Sequence, residues 1–128
     1  MTEKHVLVVD DDPQILELVA RALAAPGRRV STARRASLAR AVRARQHVDL
    51  VVTDARMPGE TGLDLAETTR FLGIATIIMS GDPEWSLEHG LAEADYLAKP
   101  FDIAALLLLV ETHLQRDTGR VVEEQESQ

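Results

Sequence analysis

Three adjacent aspartates, Asp10, Asp11 and Asp12, follow directly on the apolar run Val6–Val9. Neighbouring like charges repel, and carboxylates behind a buried segment resist desolvation unless a cation sits among their oxygens. Other reactive groups stand behind other apolar runs: Asp54 after Leu50–Thr53, Ser80 after Ile74–Met79, and Lys99 after Tyr96–Ala98. Carboxylates from two such positions make a hard-oxygen site suited to Mg2+ or Mn2+, with places left for water and phosphate oxygens. Lys99 can hold a phosphoryl oxygen as a point charge, Ser80 can hydrogen-bond another, and Gly81 leaves room for the incoming group. Asp54 then has two compatible roles, metal ligand and nucleophile toward phosphorus. Lysine occurs only at Lys4 and Lys99 in a chain that otherwise uses arginine, which invites a chemical reason for the ammonium at position 99.

These groups need a scaffold that brings distant segments to one edge. The four apolar runs are continuous rather than alternating, as in parallel strands buried on both faces, and a weaker run, Val30–Ala33, fills the gap after the first. Between them lie segments with helical spacing. Ile15, Leu18, Val19 and Leu23 form one face, opened by Asp12 as N-cap and Pro13 in the first turn, and closed near Pro26 and Gly27. Leu38, Ala41 and Val42 mark a second helix with its arginines turned outward. Leu63–Leu72 gives a third, Pro83–His89 a short fourth and Ile103–Leu114 a fifth. Five strands alternating with five helices predict an α/β fold with a doubly wound parallel sheet of flavodoxin-like order 2-1-3-4-5. In such sheets reactive residues collect beyond the carboxyl ends of the strands, where Asp10, Asp54, Ser80 and Lys99 all fall.

The 128 residues suffice for one domain, expected over 1–116, with a polar acidic tail over 117–128 that frays. The absence of cysteine excludes disulfides, thiol catalysis and thiolate metal sites. No stretch reaches the length of a membrane span and "MTEKH" lacks a signal peptide's apolar core, so a cytoplasmic protein is expected. A net charge of −7 argues against non-specific nucleic-acid binding. The acid-free, arginine-rich segment between Leu18 and Val48 reads as a solvated face that at most steers acidic partners. The histidines at 5, 47, 89 and 113 lack metal-ligand spacing and are expected near the surface.

The segments "VLVVDDDP", "DLVVTDARMPGETGLDL", "TIIMSG" and "ADYLAKPF" occur in an order that resembles the receiver domain of two-component response regulators, over roughly residues 4–116. The resemblance implies a signalling switch that catalyses only its own phosphorylation and dephosphorylation. Asp54 would be the phosphoacceptor, supplied by a sensor histidine kinase or histidine phosphotransfer protein. Asp10 and Asp11 would be the acid pair, with Asp11 a direct Mg2+ ligand, Asp10 acting through water, and the Arg56 backbone carbonyl a further ligand. Ser80 matches the switch hydroxyl, Lys99 the lysine that pairs with phosphate, and Tyr96 the aromatic switch position. Pro100 fits a cis Lys-Pro bond, which only proline makes accessible. Arg56 and Asp82 stand two residues beyond Asp54 and Ser80, where side chains influence the lifetime of the acyl phosphate.

The chain departs from that family between Ser80 and Lys99, which is shorter than usual by about one helical turn. The missing length falls in the expected fourth helix, part of the surface that signals. "ALLLLV", residues 105–110, is apolar all round the expected fifth helix, where one stripe would suffice. Together with Trp85 it suggests a homodimer face through these two helices, or a face for a downstream partner or output domain. Two rivals remain. One is a phosphohydrolase of the haloacid dehalogenase type, with Asp10 as nucleophile and Asp12 as general acid-base group. It suffers from a short chain, a purposeless Asp54 and no late acidic pair after Lys99. The other is a receiver-like binding module independent of phosphate.

Overall fold

The apolar run before the aspartates lies at the heart of a sheet: Val6, Val8 and Val9 are 0% exposed and Leu7 1%. The computed structural model describes residues 3–57, 59, 61–81 and 96–126. In chain order the elements are β1 (Lys4–Val9), α1 (Pro13–Leu23), β2 (Arg28–Ala33), α2 (Ala36–Arg45), β3 (Leu50–Asp54), α3 (Gly62–Phe71), β4 (Ala75–Ser80), β5 (Tyr96–Ala98) and α4 (Ile103–Glu126). The five strands are parallel and ordered β2-β1-β3-β4-β5, the expected topology.

The helix count is corrected. Five were expected, and the described residues contain four. The expected fourth, Pro83–His89, lies with Trp85 outside the described residues. Gly81, Pro83 and Gly90 leave a window too short for strong helical periodicity.

Successive strand residues point to opposite faces, and each face meets its own pair of helices. On one side Val6, Val8, Leu50, Val52, Ile77 and Met79 pack with Leu16, Val19 and Leu23 of α1 and with Leu106, Val110 and Leu114 of α4. On the other, Leu7, Val9 and Val51 meet Ala36 and Ala39 of α2 and Leu65 of α3. The expected face of α1 holds at Ile15, Val19 and Leu23 but not at Leu18, and that of α2 holds at Val42 but not at Leu38. Leu18 is 49% and Leu38 46% exposed, while Leu16 and the alanines point inward. Both choices satisfy a period of 3.6, so only packing decides between them. Small side chains let α2 lie close, and Arg40 donates from its guanidinium to Thr68 on α3 at 3.2 Å.

Two histidines expected near the surface are buried, His5 and His113. Each has its polar atoms answered. His5 Nδ1 bonds the His47 carbonyl at 2.8 Å and Nε2 the Ser31 hydroxyl at 2.7 Å. His113 Nδ1 bonds the Leu109 carbonyl at 2.9 Å. A buried polar group is tolerated on those terms.

The apolar α4 resolves into one buried stripe and an outward Leu108, 70% exposed. Its backbone runs on past Leu114, where the apolar pattern ends. No proline stops it, and Gly119 weakens it by only about 1 kcal/mol. Among the described residues no helix is long and apolar enough to cross a membrane.

Candidate functional site

Strand register sets the site. Val9 pairs with Thr53, Asp54 with Met79, and Ser80 with Ala98, so the residues at or just past these positions share one edge of the sheet. Asp10, Asp11, Asp54, Ser80 and Lys99 meet there from four strands. Asp12, exposed, turns its carboxylate to the Gln14 N–H at 2.9 Å and caps α1, which leaves the hydrolase reading without its second aspartate. Such a cap is worth about 1 kcal/mol.

Asp10 is fully buried, and its two oxygens accept from Lys99 Nζ at 3.0 Å and from the Asp12 N–H at 2.9 Å. The same ammonium donates to Asp54 Oδ1 at 3.2 Å. Lys99 is thus one cation within the acid cluster. It is not enough to balance it. Asp10, Asp11 and Asp54 each offer an oxygen within 4.8 Å of the others, three carboxylates against one ammonium. Burial, followed by the charge of Asp10, raises the Asp54 pKa above its ordinary value, against the pull of Lys99. Burial tends to lower the Lys99 pKa, but Asp10 and then Asp54 outweigh it and the net shift is upward. An oxygen-only donor set with surplus negative charge fits a hard divalent cation.

Beside the cluster, Asp54, Ala55, Arg56, Ser80 and Gly81 line a cavity of about 260 Å³, open to solvent. Ser80 is buried at the end of β4, and its carbonyl accepts from the Lys99 N–H at 2.7 Å. A side chain at Gly81 would meet nothing within 4 Å, so the mouth is roomy there. Tyr96 packs against the small cluster of Ala55, Ala66 and Ile78. Its hydroxyl is buried without a hydrogen-bond partner among the described residues. The Lys99–Pro100 peptide is cis. Asp82 lies outside the described residues.

Two residues that sequence reasoning passed over shape the floor of the site. The Thr53 hydroxyl donates to the Asp54 carbonyl at 3.1 Å. Gly62 opens α3 against the same carbonyl, and a Cβ added there would lie 1.8 Å from that oxygen. The sequence did carry a signal for Gly62. A poor helix former stands at the first helical position, directly after Thr61, in a helix that Thr61 and Asp64 close with a reciprocal capping box.

Comparison with known proteins agrees with this geometry. The family model for the response regulator receiver domain matches residues 6–111. PetR of Rhodobacter capsulatus is 36% identical over 116 residues, covering 88% of this chain and 49% of PetR. The response regulator PilR of Pseudomonas aeruginosa is 34% identical over 120 residues, 90% of this chain and 27% of PilR. The chain therefore spans half or less of these curated relatives. Among solved structures, the signal receiver domain of an HD domain-containing protein from Pseudomonas fluorescens superposes with a TM-score of 0.81 at 27% identity, covering 94% of this chain and 93% of that one. The chemotaxis response regulator CheY4 of Vibrio cholerae gives 0.76 at 27% identity, covering 88% and 100%. A chain that matches the receiver model over residues 6–111, with an acid cluster and a lysine at the ends of its strands, belongs to the response regulator receiver domains, which are signalling switches.

Proposed function

We propose that Asp54 accepts a phosphoryl group from a phosphohistidine on a sensor histidine kinase or histidine phosphotransfer protein. The observation that carries this reading is the position of the Asp54 carboxylate, tied through Lys99 to buried Asp10 and facing the cavity beside Ser80 and Gly81. One Asp54 oxygen bonds to phosphorus as the donor's P–N bond breaks, and that electron pair returns to the imidazole nitrogen. Asp10, Asp11, Asp54 and the Arg56 carbonyl would hold the metal, Mg2+ or Mn2+, which when bound neutralises the carboxylates and draws phosphoryl oxygens in. Lys99 then has a phosphoryl oxygen to pair with in place of a free carboxylate. Ser80 supplies a hydroxyl to another oxygen, and Tyr96, packed against Ala55, Ala66 and Ile78, would be the aromatic switch residue.

Residues 1–116 form the receiver unit in this reading. A downstream partner, an output domain or a second copy meets it through α4, where Leu108 is exposed. A cytoplasmic setting fits the phosphodonor.

The test is intact-protein mass after incubation with Mg2+ and acetyl phosphate, for wild type, Asp54→Asn and Asp10→Asn. A single phosphoryl adduct in wild type and none in Asp54→Asn is the expected result. An adduct that persists in Asp54→Asn overturns the assignment, and acetyl phosphate consumed without any adduct, in an Asp10-dependent way, would revive the hydrolase.

Arg56 is exposed on the cavity wall and, with Asp82, would shield the acyl phosphate from water. Arg56→Ala is expected to shorten the adduct's half-life by about threefold, less than 1 kcal/mol of barrier. Equal half-lives in the decay of radiolabelled protein would remove that role.

A further inference from the structure

The main-chain carbonyl of Asp54 is held from two directions by groups that take no part in the chemistry. Thr53, 0% exposed in the central strand β3, donates its hydroxyl to that oxygen at 3.1 Å. Gly62 presses on it from the first turn of α3, where any Cβ would lie 1.8 Å from the oxygen and 2.8 Å from its carbon. The next peptide is fixed as well. The Ala55 N–H donates to the Met79 carbonyl at 2.8 Å, and the Ala55 carbonyl accepts from the Gly62 N–H at 3.0 Å. Orientation of the Asp54 carbonyl sets the peptide plane linking Asp54 to Ala55. It therefore sets the direction in which the chain leaves β3 toward Arg56. Thr53 follows the apolar run Leu50–Val52, and its buried hydroxyl spends its donor on the Asp54 carbonyl.

We infer that Thr53 is a positioning residue for the phosphoacceptor site, its hydroxyl and Gly62 together clamping the Asp54 carbonyl so that the Asp54 side chain and the Arg56 carbonyl face the same point. The inference rests on the proposed receiver chemistry for what is positioned. It does not rest on that chemistry for the clamp.

The experiment compares two pairs of full-length proteins, Thr53 against Thr53→Val and Thr53→Ser against Thr53→Ala. In each pair only the hydroxyl separates members of similar shape. Mn2+ affinity is read by electron paramagnetic resonance on folded protein, amide hydrogen exchange on metal-free protein. Loss of the hydroxyl is expected to weaken Mn2+ binding about fivefold in each pair, the size of one net hydrogen bond. Without metal it is expected to speed exchange at the Ala55 and Gly62 amides. A merely structural role would lower the melting temperature while leaving Mn2+ affinity unchanged, and that result overturns the inference. Unchanged exchange at both amides overturns it too. Failure of wild type to bind Mn2+ would instead count against the receiver chemistry, and the exchange arm would still judge the clamp.

Discussion

Gly62→Ala is expected to cost about 3 kcal/mol of stability, the upper range for overpacking a rigid site, and to lower the melting temperature by roughly 10 °C. The new methyl would stand 1.8 Å from a backbone oxygen and 3.1 Å from the Thr53 hydroxyl, neither of which is the free end of a flexible side chain. Relief requires α3 to lift from β3, and that loosens the Gly62–Ala55 hydrogen bond and the capping turn at Thr61. Phosphorylation of the protein that remains folded should slow as well, because the same shift displaces the Asp54 peptide. Two other glycines serve as controls. Gly73 has a φ of +79° with open space around it, so alanine there meets backbone strain alone, about 1 kcal/mol. Gly81 has neither constraint, and Gly81→Ala should leave stability near wild type. Thermal denaturation of the three variants should rank them in that order. Gly62→Ala melting within a degree or two of wild type would show that α3 yields freely, and would remove the clamp's second jaw.

How much of this was legible beforehand differs by element. The sheet was, because all the central strands are buried on both faces and write themselves as unbroken apolar runs such as "VLVV" and "LVVT". The gathering of Asp10, Asp54, Ser80 and Lys99 followed from strand ends alone, since a parallel order brings those ends to one edge. The helix faces were legible only in part. Leu18 and Leu16 both fit a helical period, and the exposed one is settled by where the sheet lies. α2 buries alanines and leaves its leucine half-exposed, so hydrophobicity pointed away from its contact face. His5 reads as a surface residue until Ser31 from β2 and the His47 carbonyl arrive to satisfy it, and both are distant in sequence. Thr53 went unremarked for a related reason: its contact is with a backbone oxygen, which no side-chain pattern records, whereas Gly62 stands out only as a poor helix former directly after the capping Thr61.

Lys99→Met is the most direct probe of the acid cluster. The methionine keeps an unbranched stem and removes the ammonium, leaving Asp10 completely buried with the Asp12 N–H as its remaining hydrogen-bond donor among the described residues. Breaking a buried pair from one side typically costs 3–5 kcal/mol, and the Lys99 side chain is 23% exposed, so about 2 kcal/mol is expected without metal. Because Lys99 is raised in the fold, its contribution is fully present below the ordinary lysine value of 10.5 and fades only as pH climbs through the raised value. The loss should therefore be complete at neutral pH. Asp54 works in the opposite sense. Its pKa is also raised, so the fold favours the protonated carboxyl. The penalty for ionising it appears as pH rises from the ordinary 3.8 through the raised value, and it stays above that. In the proposed function Mg2+ would bind the ionised cluster, so its stabilisation is expected to be small near pH 4 and large near pH 7. Denaturant titrations with and without Mg2+ read both effects at once. The variant should lose stability in metal-free buffer and regain more of it than wild type when Mg2+ is added. If Lys99→Met is as stable as wild type without metal, the ammonium is not what stabilises buried Asp10, and that reading of the cluster is overturned.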